Sequence, residues 1–158
     1  MLFSFIYYST ISYFLYNSIE YFLHSLGHNY KFNNYIYSLH KKHHLLYSGK
    51  KFLSQRYRTE YKYYLSDGTR AHIIPFSSII MLIYKLTNDY YLIINICFFT
   101  YISEYLHTHI HTQNSWLEKY EWFMKKRKKH LIHHKFTNKN INILDNNLDI
   151  LFHTYREN

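Results

Sequence analysis

The sequence predicts an integral membrane protein of the all-α class, with about three membrane helices or half-spans and a helical cap on the cytosolic face. Three observations carry that expectation. Only three Gly and one Pro punctuate the 158 residues, and few breakers between long apolar runs favour helices. Three segments are apolar over most of their length. The 19 Lys and Arg residues almost completely avoid those segments. A chain of this length forms one domain, residues 1–158.

Residues 1–23 are the first element, an N-terminal membrane helix. Met1–Ile19 contains no charged residue. It has neither a basic start nor a small-residue cleavage site, so it reads as an anchor rather than a removable signal peptide. Residues 72–107 are the second element, a membrane helical hairpin. Its arms, His72–Leu86 and Tyr90–His107, are short against the roughly 20 residues of a full span, and 85–89 (Lys-Leu-Thr-Asn-Asp) is the turn. Segments 24–71 and 108–158 follow these elements. Nine basic residues lie between Lys31 and Arg70 and nine between Lys119 and Arg156, which leaves Lys85 alone at the turn. The positive-inside rule then places both segments on the cytosolic face of an intracellular membrane such as the endoplasmic reticulum.

Charge and cysteine content bound the partners. The net charge is +9, but the abundance of Lys and Asn suits an AT-rich coding sequence and weakens any inference from charge alone. The segment Leu45–Arg70 is expected to lie on lipid headgroups, and the run Lys125–Lys129 to touch anionic lipid. The long apolar segments argue against nucleic acid as a partner. Cys97 is the one cysteine, so no disulfide framework and no thiolate-rich metal site is available. In its apolar surroundings it is expected to be a small buried residue.

The histidines carry the chemistry. His-x-x-His-His occurs twice, at His40/His43/His44 and at His130/His133/His134, and each copy has a His-x-x-x-His pair upstream, His24/His28 and His107/His111. With 13 histidines in the chain, about one His-x-x-x-His arises from composition alone, but only about 0.1 copies of His-x-x-His-His. The doubled triplet is therefore the signal, and the pairs gain weight from their positions beside it. A single triplet could be a solvated basic run; two with matching partners are poorly explained that way. Residues three and four apart share one helix face, so the imidazoles of each box converge. Ten neutral imidazoles supply about five nitrogens to each of two metal ions. Nitrogen donors suit iron, zinc and copper rather than magnesium or calcium, and a redox iron pair fits best, with zinc able to substitute. Glu20, Glu104 and Asp149 stand near the boxes and are expected to orient imidazoles from behind. His72, His109 and His153 fall outside the scheme, and no catalytic residue beyond the ligands is assigned.

These residues resemble the fatty acid hydroxylase/sterol desaturase superfamily of membrane di-metal enzymes. Glu20-Tyr21-x-x-His24-x-x-x-His28 resembles its first motif and Leu39-His40-x-x-His43-His44 its second. The C-terminal part is closest to the fatty acid 2-hydroxylase branch. There Lys128-x-His130-x-x-His133-His134-Lys135 precedes Leu148-Asp149-x-Leu151-Phe152-x-Thr154-Tyr155, where that branch reads Trp-Asp-x-x-Phe-Gly-Thr-Tyr. The resemblance covers about Ser18 to Tyr155; the chain differs from the common pattern at Ser25, Leu148 and His153. It implies a di-iron monooxygenase that takes O2, and electrons from a cytochrome/reductase chain, to hydroxylate an unactivated C–H of a membrane lipid. The same boxes serve desaturases, sterol methyl oxidases and carotenoid hydroxylases. A non-catalytic zinc-binding membrane protein and a soluble zinc hydrolase are the readings from other classes. Neither the lipid nor the oligomeric state is legible.

Overall fold

The computed structural model describes residues 2–31, 34–55 and 67–158. The described residues form six α-helices and two short 3₁₀ turns, with no named strand. Helix α1 spans Leu2–Gly27, α2 Asn34–Leu46, α3 Asp67–Thr87, α4 Tyr90–Ile110, α5 Glu121–Lys135 and α6 Asn147–Leu151. The 3₁₀ turns are Gly49–Lys51 and Trp116–Lys119. Residues 56–66 of the segment expected on headgroups lie outside the described residues, as does the side chain of His72.

The helical class holds; the membrane spans do not. No described helix is long and apolar enough to cross a membrane, which overturns both the expected spans and the integral-membrane location. The reason lies in what filled the apolar segments. α1 has the length, at 26 residues, but carries Ser9, Thr10, Ser12, Asn17, Ser18 and several Tyr before Glu20. Each hydroxyl or amide brings a desolvation cost that absence of formal charge conceals. α3 includes Asp67, Arg70, Pro75 and Lys85, and α4 ends through Ser103, Glu104 and His107. The asymmetry of Lys and Arg therefore marks no span among the described helices. Many apolar side chains on the outer faces are nevertheless exposed, Phe14, Leu82, Ile94 and Phe98 among them.

Polar residues inside α1 join it to α4. Ser9 Oγ donates to Asn95 Oδ1 at 3.3 Å, Ser12 Oγ to the Leu92 carbonyl at 3.2 Å, and Ser103 Oγ to Glu20 Oε1 at 3.0 Å. Residues 9 and 12 of α1 meet 95 and 92 of α4, and Glu20 further along α1 meets Ser103 further along α4, so the two helices run parallel. Both His-x-x-x-His pairs, near the C-terminal ends of those helices, consequently arrive at the same end of the molecule. α3 makes this possible by carrying the chain back. It turns into α4 at Asn88, which has φ of 51°, a left-handed conformation that Asn tolerates better than most residues. Asp89 then caps α4 by accepting from Leu92 N at 3.1 Å.

α5 is fixed to the end of α4 by Arg127. Its guanidinium pairs with Glu118 at 2.7 Å and donates to the carbonyls of His109 and Thr112, both at 2.9 Å. Lys126 is also turned inward, with Nζ donating to the carbonyls of Ile143 and Leu144 at 2.7 and 2.6 Å. The basic run is thus divided between structural cations and exposed ones, rather than presented whole as a strip for anionic lipid. Beneath it Phe52, Ile110, Leu117 and Phe123 make a small apolar core.

The C-terminal segment folds back over α1. Asn142 Nδ2 donates to the carbonyl and to Oδ1 of Asn17, both at 3.1 Å, and Tyr13 bonds Asp145. Asp149 is fully buried and accepts from Ile141 N at 2.7 Å, Asn142 N at 3.1 Å and Thr154 Oγ1 at 2.7 Å. Removing that carboxylate strands three donors, each costing about 1 kcal/mol or more. Asp149→Ala is expected to lower unfolding free energy by on the order of 3 kcal/mol in urea titrations; a loss under about 1 kcal/mol would contradict this role.

Candidate metal centre

All ten box histidines meet at the shared end of α1 and α4. They form two groups of five: His24, His28, His40, His44 and His133, and His43, His107, His111, His130 and His134, with candidate ligand atoms inside each group no more than 4.8 Å apart. The triplets are split between the groups. α2 sends His40 and His44 to the first and His43 to the second; α5 sends His133 to the first and His130 and His134 to the second. This follows from helical spacing, since positions four apart lie on one side and the intervening position is rotated away. The groups adjoin where the His44 and His134 rings stack, with centroids 4.1 Å apart.

The nitrogens converge as ligands around an ion do. His40 Nε2 lies 3.0 Å from the Nε2 atoms of both His28 and His44, and His28 Nε2 lies 3.2 Å from that of His133. In the second group His130 Nε2 is 3.2 Å from His107 Nε2 and 3.1 Å from those of His111 and His134. A ring nitrogen has one in-plane proton or one lone pair, so three simultaneous hydrogen bonds to His130 Nε2 are not available. Nitrogens bound 2.0–2.1 Å from one cation stand about 2.9–3.4 Å apart at right-angle to tetrahedral geometry, which is the spacing present. His43 Nε2 is buried and has no hydrogen-bond partner among the described residues. The residues fit a metal site in each group, although the geometry does not select the metal.

Backbone carbonyls set the tautomers. His133 Nδ1 donates to the Lys139 carbonyl at 2.9 Å, and His111 Nδ1 to that of Phe52 at 3.1 Å. Carbonyls only accept, so each ring keeps its proton on Nδ1 and leaves Nε2 bare for a cation. The Phe52 carbonyl is held in place by a parallel bridge, in which Ser54 N donates to the His111 carbonyl at 3.0 Å and Gln113 N to the Ser54 carbonyl at 2.8 Å. Nothing in the sequence pattern marks these carbonyls. Two of the three carboxylates expected behind the boxes, Asp149 and Glu20, are engaged elsewhere. Asp149 pins backbone. Glu20 Oε1 accepts from Ser103 Oγ and from Ile143 N at 3.3 Å, with Asn142 Nδ2 3.4 Å from Oε2. Tyr47, unremarkable in sequence, is fully buried with its ring 4.1 Å from that of His111 and 5.1 Å from that of His43.

Burial favours the neutral form of six of the ten imidazoles. Loss of hydration pushes His43, His111, His130 and His134 well below the ordinary imidazole value, with neighbouring imidazoles adding to the effect. His44 is lowered in the same way. His133 is brought down to about 4, its bond to the Lys139 carbonyl opposing the burial. Neutral imidazole is the metal-binding form. His109 and His153 lie outside both groups; His109 Nδ1 is 2.8 Å from Ser115 Oγ.

Gly27 is where α1 passes closest to the first group. A Cβ placed there would lie 3.1 Å from His40 Cγ, so any side chain must push the imidazole that two other ligands face. Gly27→Ala is expected to weaken metal binding at the first group about tenfold, in line with disturbing a ligand's support, and to spare the second. Competition with a chromophoric chelator checks this as about a tenfold fall in the product of the two binding constants; an unchanged product would contradict it.

An apolar cavity of about 290 Å³ opens beside both groups, between α1, α3 and α4. His24 and His40 of the first group and His107 of the second line one side of it. Tyr16, Leu23, Phe76 and Ile80 supply much of the apolar wall. Cys97 also lines it and is exposed rather than buried as its surroundings in the sequence suggested. No family model, curated protein or solved structure matches this chain.

Proposed function

We propose that the chain is an oxidoreductase that uses O2 and a pair of iron ions to hydroxylate an unactivated C–H bond of a lipid. The observation that carries this reading is the shared wall. Imidazoles of both groups border one apolar cavity, so a hydrocarbon held there lies against the candidate metal centre. The resemblance of the boxes to the fatty acid hydroxylase/sterol desaturase superfamily supports the same chemistry. Iron bound by the ten histidines would supply the O2 activation that a C–H bond of this strength requires. The remainder falls to the chain itself. His111 and His133 are held with Nε2 bare by carbonyl bonds to their other nitrogens. Tyr16, Leu23, Phe76 and Ile80 exclude water from the hydrocarbon, and burial favours the uncharged form of six of the imidazoles.

The overall change is R–H + O2 + 2 e⁻ + 2 H⁺ → R–OH + H2O, with the electrons from a cytochrome/reductase donor. The test is turnover by the iron-loaded protein with a reductase system, a lipid extract and isotopically labelled O2. The expected product is heavier by one labelled oxygen atom. A lipid lighter by two hydrogens would replace hydroxylation with desaturation. No oxidised lipid, with zinc retained in both groups, would overturn the oxidative reading in favour of a zinc-binding protein.

A further inference from the structure

We infer that the cavity beside the metal groups admits an apolar chain ending in an uncharged hydroxyl group, received by Glu20, and rejects the same chain ending in a carboxylate. This assignment rests on the reading of the cavity as the substrate slot and specifies the class of molecule that enters it.

The walls leave Glu20 as the conspicuous polar feature of a largely hydrocarbon space. It sits one helical turn before His24, and Glu104 one turn before His107, so both acidic side chains border the cavity on the metal side. No Lys or Arg is among the described residues that line it. The nearby cation Lys126 is held by the Ile143 and Leu144 carbonyls. While the histidine groups hold no ion, a carboxylate entering from solvent would lose its hydration with no Lys or Arg among the described lining residues to compensate. A hydroxyl loses far less and can both donate and accept.

Glu20 is arranged to receive such a group. Ser103 Oγ and Ile143 N occupy Oε1, whereas Oε2 has the long 3.4 Å contact from Asn142 Nδ2, with the Tyr16 hydroxyl also facing the carboxyl. Oε2 therefore retains capacity toward a ligand. Burial also raises this carboxyl to about 8, so near neutrality it is largely an acid, able to give as well as take a hydrogen bond. The volume, about 290 Å³, is at the lower end of small-molecule pockets. It suits the polar end of a chain and its first carbons, with the rest of the chain leaving through the mouth.

Cys97 provides the measurement. It is the only cysteine, it lines the cavity and it is exposed, so a bound chain should shield it from a thiol reagent. The rate of N-ethylmaleimide labelling would be followed by mass spectrometry on the protein stripped of metal, with decan-1-ol or decanoate as probe. Decan-1-ol is expected to slow labelling at least tenfold at concentrations where decanoate slows it less than twofold. Glu20→Gln, which keeps a hydrogen-bonding end, should preserve that difference, and Glu20→Leu should reduce it below twofold. Equal protection by both probes, stronger protection by decanoate, or no protection by decan-1-ol would overturn the assignment. So would an undiminished preference in Glu20→Leu. If Glu20→Leu does not fold, the native protein and Glu20→Gln still decide. The readout needs no turnover, so selective shielding in a protein that oxidises nothing would retire the oxidase reading and leave the slot's selectivity standing. Turnover without shielding would do the reverse.

Discussion

Replacing His133 or His43 with alanine is expected to reduce bound metal from two ions per chain toward one and to remove lipid oxidation. The two substitutions strike different groups, His133 the first and His43 the second. Disturbing only the support of a ligand commonly weakens binding 10–100-fold, so loss of a ligand from either group should lower turnover by more than about 100-fold. Elemental analysis of the purified variants, with circular dichroism to confirm helix content, checks the metal claim apart from activity. His109→Ala is the control, since His109 lies outside both groups; its metal content should stay at two. Full metal content in His133→Ala and His43→Ala would remove the basis of the proposed centre.

Acid should destabilise the metal-free protein steeply. Six buried histidines, at 43, 44, 111, 130, 133 and 134, have folded-state values below the ordinary 6.5. Above pH 6.5 folded and unfolded chains are equally neutral at these positions, and the full stability is present. As pH falls below 6.5 the unfolded chain takes up protons that the fold excludes, so stability falls with pH. Each such histidine costs up to about 1.4 kcal/mol per pH unit until its own folded value is reached, about 4 for His133. Glu20 and Asp149 have raised values and act in the opposite sense, two groups against six. Urea denaturation at pH 7.5 and pH 5.5 is expected to show a loss of several kcal/mol at the lower pH. Equal or greater stability at pH 5.5 would mean that the imidazoles are hydrated in the folded chain.

The sequence exposed the chemistry of this molecule better than its surroundings. The spacing of His40, His43 and His44 is a local property of one helix turn, so it could be read directly. The pairs His24/His28 and His107/His111 are local in the same way. That all of them meet depends on α1 running parallel to α4, which is specified by Ser9, Ser12 and Ser103 finding partners far away in sequence. Those small polar residues are the contacts between helices. Absence of charge alone made the apolar segments look like membrane spans. The oriented carbonyls of Phe52 and Lys139 were invisible for a different reason: every residue has a carbonyl, and only the fold decides which one faces an imidazole. Arg127 and Lys126 show the same limit. A run of five basic residues looks like one surface, yet helical rotation turns two of its members inward.

The division of each triplet between the two groups has a consequence for how metal would load. α2 and α5 each present ligands to both positions, so neither group can be assembled without fixing the helices that build the other. The first ion would bear the entropic cost of ordering both helices, and the second would enter a position already formed. Loading should therefore be cooperative, with the half-filled chain a minority at every metal concentration. Titration would then report a sigmoidal transition between an empty and a doubly occupied protein, rather than two successive affinities, wherever both helices are intact.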